Sequence, residues 1–204
     1  MARIDDYNEA RRLAVENLAQ TPAKQLSRES GFDLASHDSL RVPFLNRVYR
    51  VALPDFTFED DQDQDRDVPI QEQVLILHYL KAPDKAPPSS NWVAYREIPG
   101  AAFYHPTFAK RALDPLKRFF GDNLNGLKRS AHQLDGTPID VGDVGFEFRP
   151  FPYVPLQVVM YAGDEEFPPD AGILFDKGAG DMLSPEDLAW LAGMLVYRLI
   201  ALSR

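Results

Sequence analysis

The sequence predicts an α+β protein: a single domain with a mixed or antiparallel sheet, helices at both termini and a central helical segment. Three observations carry this expectation. Apolar residues recur at helical spacing near both ends of the chain. Period-two alternation marks segments between residues 40 and 53, and again between 146 and 175. Between them, residues 105–134 return to helical spacing. Helices at both ends with strands between them are the pattern of the α+β class.

Residues 4–20 read as a helix, with Ile4, Tyr7, Leu13, Val15 and Leu18 as its apolar positions. Thr21-Pro22 ends it. A second short helix starts at Pro22 and ends at Gly31. Residues 40–44 and 47–53 flank Leu45-Asn46 and predict a hairpin. Tyr49, Val51 and Leu53 share one face of its second strand. Residues 59–67, EDDQDQDRD, form an acidic polar loop. Over 68–80, Val74, Leu75, Leu77 and Leu80 return to helical spacing. The stretch 82–90, APDKAPPSS, is rich in proline and serine but short, so it reads as a loop and not as a domain boundary. Residues 92–98 read as a strand.

Residues 105–134 read as three helical pieces. Pro106 starts the first, and Asp114-Pro115 restarts the second with proline where its missing N–H costs nothing. The third sets Leu124, Leu127, Ala131 and Leu134 on one face and ends near Gly136. Phe146 and Phe148 alternate with Glu147 and Arg149, as in a half-buried strand. Residues 156–161 are apolar on both faces, which predicts a central strand. Residues 173–175 form another short strand. The last helix is the clearest element. Ser184 is its N-cap, Pro185 fits the first helical position, and Glu186 and Asp187 lie where the helix dipole favours negative charge. Leu188, Leu191, Leu195, Leu199 and Leu202 form its apolar stripe. Trp190, Met194 and Tyr197 form a second stripe, read as extra core or a homodimer surface.

Composition narrows the function classes. The 204 residues include no cysteine, so this chain holds no disulfide, no thiolate metal site, no iron–sulfur cluster and no cysteine nucleophile. That suits a reducing compartment. The first twenty residues lack the apolar h-region of a secretory signal, and no apolar run reaches the roughly 18 residues of a membrane span. The expectation is a cytoplasmic protein. The net charge of −9 argues against nucleic acid or an anionic membrane as partner.

Four clusters of residues carry candidate chemistry. Asp164, Glu165 and Glu166 are consecutive carboxylates after a buried strand. They suit a hard cation, or one acid held protonated by its neighbours' repulsion; the competing reading is a solvated turn shaped by Pro168-Pro169. His78, flanked by leucines, suits a base or ligand, against a hydrogen-bonded structural histidine. In Tyr95-Arg96-Glu97, Arg96 suits a bidentate anion clamp, against pairing with nearby charges. Asp61, Asp63, Asp65 and Glu72 occupy positions 1, 3, 5 and 12 of a calcium loop. Arg66 stands there in place of the glycine the turn requires, so a solvated loop is the better reading. Asp176 does not join the acidic trio if residues 156–162 and 172–176 pair as a hairpin. It would then lie about 13 Å along the strand and cap the turn at Lys177-Gly178, or face another element.

The segments VLILHYLKA (74–82), WVAYREIPG (92–100), GDEEFPPDAGILFD (163–176) and LSPEDLAWLAGMLVYRL (183–199) resemble a prokaryotic family of unknown function, domain of unknown function 3786. The resemblance implies a cytoplasmic protein, mostly of anaerobes. Some similar proteins carry an N-terminal cysteine-rich iron–sulfur module; in this cysteine-free chain an electron-transfer role would need a partner protein. No P-loop, GxGxxG, GxSxG or HExxH motif is present. The resulting expectation is a ligand- or partner-binding accessory domain linked to anaerobic redox or cofactor metabolism, its ligand a small molecule or a protein. The rival is an enzyme with His78 as acid/base beside Arg96 and the 164–166 carboxylates. Its cofactor, if any, is not specified by the sequence.

Overall fold

The computed structural model describes residues 4–83 and 85–203, and of Ile4 the backbone alone. The fold is α+β, and its strands are antiparallel throughout, in two sheets. The chain divides into two compact units. The first runs to Lys85 and takes in Phe151–Tyr153; the second is the remainder.

In the first unit, helix α1 (Ile4–Leu18) and helix α2 (Ala23–Ser30) precede a four-stranded meander. Its strands are β1 (Asp33–Ser36), β2 (Ser39–Phe44), β3 (Arg47–Ala52) and β4 (Thr57–Asp60), in that spatial order. The predicted hairpin forms between β2 and β3, with Phe44 opposite Arg47 and Leu45 at a φ of 53°. Helix α2 ends at Gly31, whose φ of 77° lets its N–H reach back to the Ser27 carbonyl. Leu40, Val42 and Phe44 alternate onto the core side of β2, and Tyr49 and Val51 do so on β3. Helix α3 (Ile70–Lys81) buries seven of its twelve residues, including Leu75, Ile76, Leu77 and Tyr79. Each such side chain contributes about 1.5–3 kcal/mol on burial.

Helix α1 departs from the expected face. Leu13 is 51% exposed, whereas Ala14 and Leu18 are buried. The inward position one turn earlier is held by Arg11. Its Nη2 donates to the Phe56 carbonyl at 2.7 Å and its Nε to Gln73 Oε1 at 2.8 Å. A charged residue with fixed acceptors outcompetes the leucine for the inner face, and apolar spacing alone does not register it. The side chain of Ile4, also assigned to that face, lies outside the described residues.

In the second unit, β5 (Trp92–Ala94), β6 (Thr137–Ile139), β7 (Val144–Phe151, its last residue counted with the first unit), β8 (Val154–Tyr161) and β9 (Asp170–Asp176) form a sheet in the order β5-β9-β8-β7-β6. Strand β8 is central, as its two apolar faces predict; residues 154–160 are all buried. The last helix, α8 (Pro185–Leu202), has the predicted cap. Ser184 Oγ accepts from the Asp187 N–H, and Asp187 returns a carboxylate oxygen to the Ser184 N–H. Leu188, Leu191, Leu195 and Leu199 are fully buried. The second stripe splits: Trp190 and Met194 are half-buried, and Tyr197 is 59% exposed.

Two expectations about this unit are corrected. The segment 92–98 is a strand only through Ala94; Tyr95–Glu97 is a 3₁₀ turn. Glu97 Oε2 accepts the Ala94 N–H at 2.7 Å, and that bond bends the chain off the sheet. The first two helical pieces of 105–134 are not separate. Helix α4 (His105–Phe108) runs through a π-helical turn, Ala109–Leu113, into α5 (Asp114–Phe120). Pro115 has no N–H for the Arg111 carbonyl, and its ring would collide with that carbonyl in a regular helix. The widened turn relieves the conflict, with the Asp114 N–H donating to the Ala109 carbonyl. Helix α6 (Leu124–Gln133) follows, capped by Asn123 Oδ1 on the Gly126 N–H. A short helix α7 (Ala179–Met182) joins β9 to the last helix.

Candidate functional site

The turn after β5 sends three neighbouring side chains in three directions. Tyr95 goes inward. It is 2% exposed, its ring stacks on Phe108 at 4.1 Å, and its hydroxyl donates to the Pro185 carbonyl at 2.6 Å. Burial is the main reason its hydroxyl is pushed up to about 12. Arg96 stays exposed, with Nη2 3.1 Å from Nε2 of His105. Glu97 closes its own turn and borders a cleft described below.

The acidic trio lies in the loop between β8 and β9. Asp164 Oδ1 accepts the N–H groups of Phe167 at 2.7 Å and Glu166 at 2.8 Å. Those two amides hold its carboxyl below the usual range, so Asp164 is kept ionised and not protonated by its neighbours. Glu165 and Glu166 are exposed. No described ion pair joins the trio to Arg96. His78 is half-buried on α3 and belongs to the first unit, whereas Tyr95, Arg96, Glu97 and the trio belong to the second.

Of the four candidate calcium ligands in 61–72, Asp61 and Glu72 have other partners, and so does the neighbouring Asp60. Asp60 pairs with Arg47 at 3.2 Å and Asp61 with Arg50 at 3.2 Å. Glu72 turns into the core, 5% exposed, and accepts from the Tyr49 hydroxyl at 2.5 Å. Among the described residues no three His, Cys, Asp or Glu side chains converge as a metal site.

Asp176 is the carboxylate with the more specific surroundings. It stands opposite Trp92 in the sheet, while Asp170 stands opposite Tyr161 at the loop end. The two ends of β9 are therefore about 20 Å apart along the strand, and Asp176 does not share a site with the trio. It is 1% exposed. Oδ1 accepts the Gly178 N–H at 3.0 Å, which closes the predicted turn. The Ser89 hydroxyl lies 3.2 Å from Oδ1 and 3.1 Å from Oδ2. Beside this group opens a cleft of about 370 Å³, bordered by Ser89, Asn91, Glu97, Lys177, Gly178 and Asp181. Apart from Glu97, none of these was read from the sequence as a site residue; Lys177 and Gly178 were read only as a turn. Ser89 and Asn91 lie in or next to a Pro/Ser-rich stretch that reads as a plain loop. Its connection to β9, sealed by the Lys177 N–H on the Asn91 carbonyl at 2.8 Å, is tertiary.

The first unit has its own polar cleft of about 450 Å³, bordered by Arg28, Glu29, Lys85 and Tyr153. Lys85 Nζ donates there to the Leu80 and Ala82 carbonyls at 2.9 and 2.6 Å, capping α3. Burial holds its ammonium below the usual lysine range. These contacts give Lys85 a structural role.

Fold and clefts together define an α+β protein of two antiparallel sheets, with a cleft next to a buried carboxylate in its second unit. Among the described residues no helix is long and apolar enough to cross a membrane. The chain belongs to the family described as Domain of unknown function (DUF3786), whose model matches residues 23–198. No curated protein and no solved structure matches the chain.

Proposed function

We propose that the protein is a non-catalytic binding domain that takes a small amine-bearing molecule in the cleft beside Asp176. The observation that carries this reading is the incomplete pairing of that carboxylate. An ionised carboxylate has about four acceptor sites. At 1% exposure Asp176 has one serine hydroxyl and one amide, and no described ion pair gives it a cation. A buried charge so placed favours a cationic donor. Glu97 and Asp181 add negative charge at the cleft border, and Lys177 offers a cation for an acidic group on the same ligand. The volume suits a metabolite-sized molecule.

A cytoplasmic setting and a role accessory to anaerobic redox or cofactor metabolism belong to the same proposal. The first draws on the absence of cysteine, the second on the family resemblance alone. Tyr197, 59% exposed on α8, supports a second reading: a protein partner, or a second copy of the chain, covering that face. Sedimentation equilibrium of wild type and Tyr197→Glu checks this; a monomer at every concentration removes the homodimer.

The amine site is tested by amide NMR with 1,4-diaminobutane, glycine and, as anionic control, acetate. The expected result is saturable shifts at Gly178 and Asp181 with the amines, weakened at least tenfold in Asp176→Asn. Amines that leave these resonances unmoved, or that bind Asp176→Asn equally well, overturn the proposal.

A further inference from the structure

Buried polar atoms without a partner are rare in folded proteins, because a desolvated donor with nothing to bond costs about 1–3 kcal/mol. Nη1 of Arg111 is such an atom: it is shielded from solvent and has no hydrogen-bond partner. We propose that Arg111 anchors a second binding site, in which its guanidinium fork takes the two oxygens of a monoanionic carboxylate ligand. This site uses none of the residues of the amine cleft and does not depend on it.

The chain builds the position in steps that begin with its sequence. Pro115 forces the π-helical turn Ala109–Leu113, and Arg111 lies at the centre of that turn. The turn packs against α8 at Gly193, where a Cβ would make ordinary contact, 3.4 Å from the Arg111 carbonyl oxygen and 3.6 Å from its Cβ. One helical turn earlier on the same face, Trp190 lies under the guanidinium, with Cζ 4.3 Å from the ring centroid. Backbone and head group are therefore both held, and the plane of the guanidinium is set before any ligand arrives.

The chemistry of this position selects a carboxylate. A guanidinium flat on an indole offers donors in one plane, which matches the planar carboxylate. The chain's net charge of −9 disfavours a phosphate dianion. Beyond the dominant effect of burial, Tyr104, Arg111 and Glu186 all act on the Tyr95 hydroxyl, so the guanidinium and the Glu186 carboxylate both lie within electrostatic range of that hydroxyl. A negative neighbour tolerates a monoanion better than a dianion.

The protein has two tryptophans, so Trp92→Phe leaves Trp190 as the only indole reporter. Full-length protein with this change is titrated with acetate, formate and inorganic phosphate against chloride at matched ionic strength. The expected result is a saturable change in Trp190 emission with acetate and formate. Arg111→Lys should weaken it at least tenfold, because a point charge lacks the fork, and Arg111→Met should abolish it. Phosphate should act no more strongly than chloride. Side-chain Nε–H NMR of Arg111 in otherwise wild-type protein, titrated with acetate, decides the matter if the variants do not fold. Any of three results overturns the proposal: carboxylates indistinguishable from chloride, as for a site filled by a water molecule alone; a response that survives Arg111→Met; or a phosphate response stronger than that of acetate.

Discussion

The ring of Tyr79 lies stacked on that of Phe151, with centroids 4.5 Å apart and planes 4° from parallel. Phe32 and Phe44 pack around the same phenylalanine at 6.4 and 5.3 Å, and the Tyr79 hydroxyl donates to the Ser30 carbonyl at 2.6 Å. The centre of the first unit is thus completed by a residue that arrives in sequence only after the second unit's Ala86–Pro150. Phe151→Ala removes this stack and leaves a cavity among aromatic rings. The expected loss is about 3–5 kcal/mol, measured by denaturant unfolding. A fragment of residues 1–85 lacks Phe151 and should show neither cooperative unfolding nor the near-ultraviolet circular dichroism of packed tyrosines.

Ser89 and Asp176 form the second relationship that can be tested by substitution. Ser89→Ala removes the hydroxyl shared by both carboxylate oxygens and leaves a buried charge with one amide donor. The expected cost is about 1–3 kcal/mol at neutral pH. Asp176→Asn removes the charge and keeps an acceptor for the Gly178 N–H, so it should cost less than Ser89→Ala. The reverse order of melting temperatures would show that the carboxylate is adequately paired as it stands.

The N-cap of α8 is a local device with a local cost. Ser184→Ala removes the acceptor of the Asp187 N–H and one donor to the Asp187 carboxylate. The expected destabilisation is about 1 kcal/mol. Ser184→Asn, which keeps a capping oxygen, should recover most of it in the same unfolding assay.

Tyr95 makes stability depend on alkaline pH. Its hydroxyl is raised from 10.0 to about 12 by burial, and Tyr79 is raised by the same cause. Below pH 10 both states keep the Tyr95 proton and its contribution is complete. Between pH 10 and 12 the unfolded chain has lost a proton that the folded protein still holds. The free energy of unfolding should therefore fall as pH rises through that window. Tyr95→Phe should reduce the slope, since Tyr79 retains its share. It should also cost about 1 kcal/mol at pH 7 through the lost bond to the Pro185 carbonyl. Unfolding series at pH 9, 10 and 11 check both statements; an unchanged slope in Tyr95→Phe refutes the assignment.

What was legible in the residues was what short-range physics dictates. Period-two alternation placed β2, β3 and β7, the doubly apolar run at 156–161 marked the central strand, and Ser184-Pro185 began the last helix. The family was legible too, because its segments are contiguous. The trio at 164–166 stood out as a run of charge, yet Asp164 is occupied with the amides of its own turn. Leu13 was misplaced because spacing rules count apolar residues and do not weigh an arginine that finds two acceptors inside.

By itself, then, the sequence determined the α+β class, most of the elements and the turn at Asp176, since these follow from backbone sterics, capping and the pattern of burial within a few residues. Only the tertiary structure decided that the strands form two sheets, that Phe151 belongs to the first unit, and that Ser89 meets Asp176 across 87 positions of chain. It also decided that Arg111 lies over Trp190 with an unpaired nitrogen. These relationships depend on which distant groups are brought within bonding distance, where the free energy of burial is shared among many contacts and no local pattern records the partner.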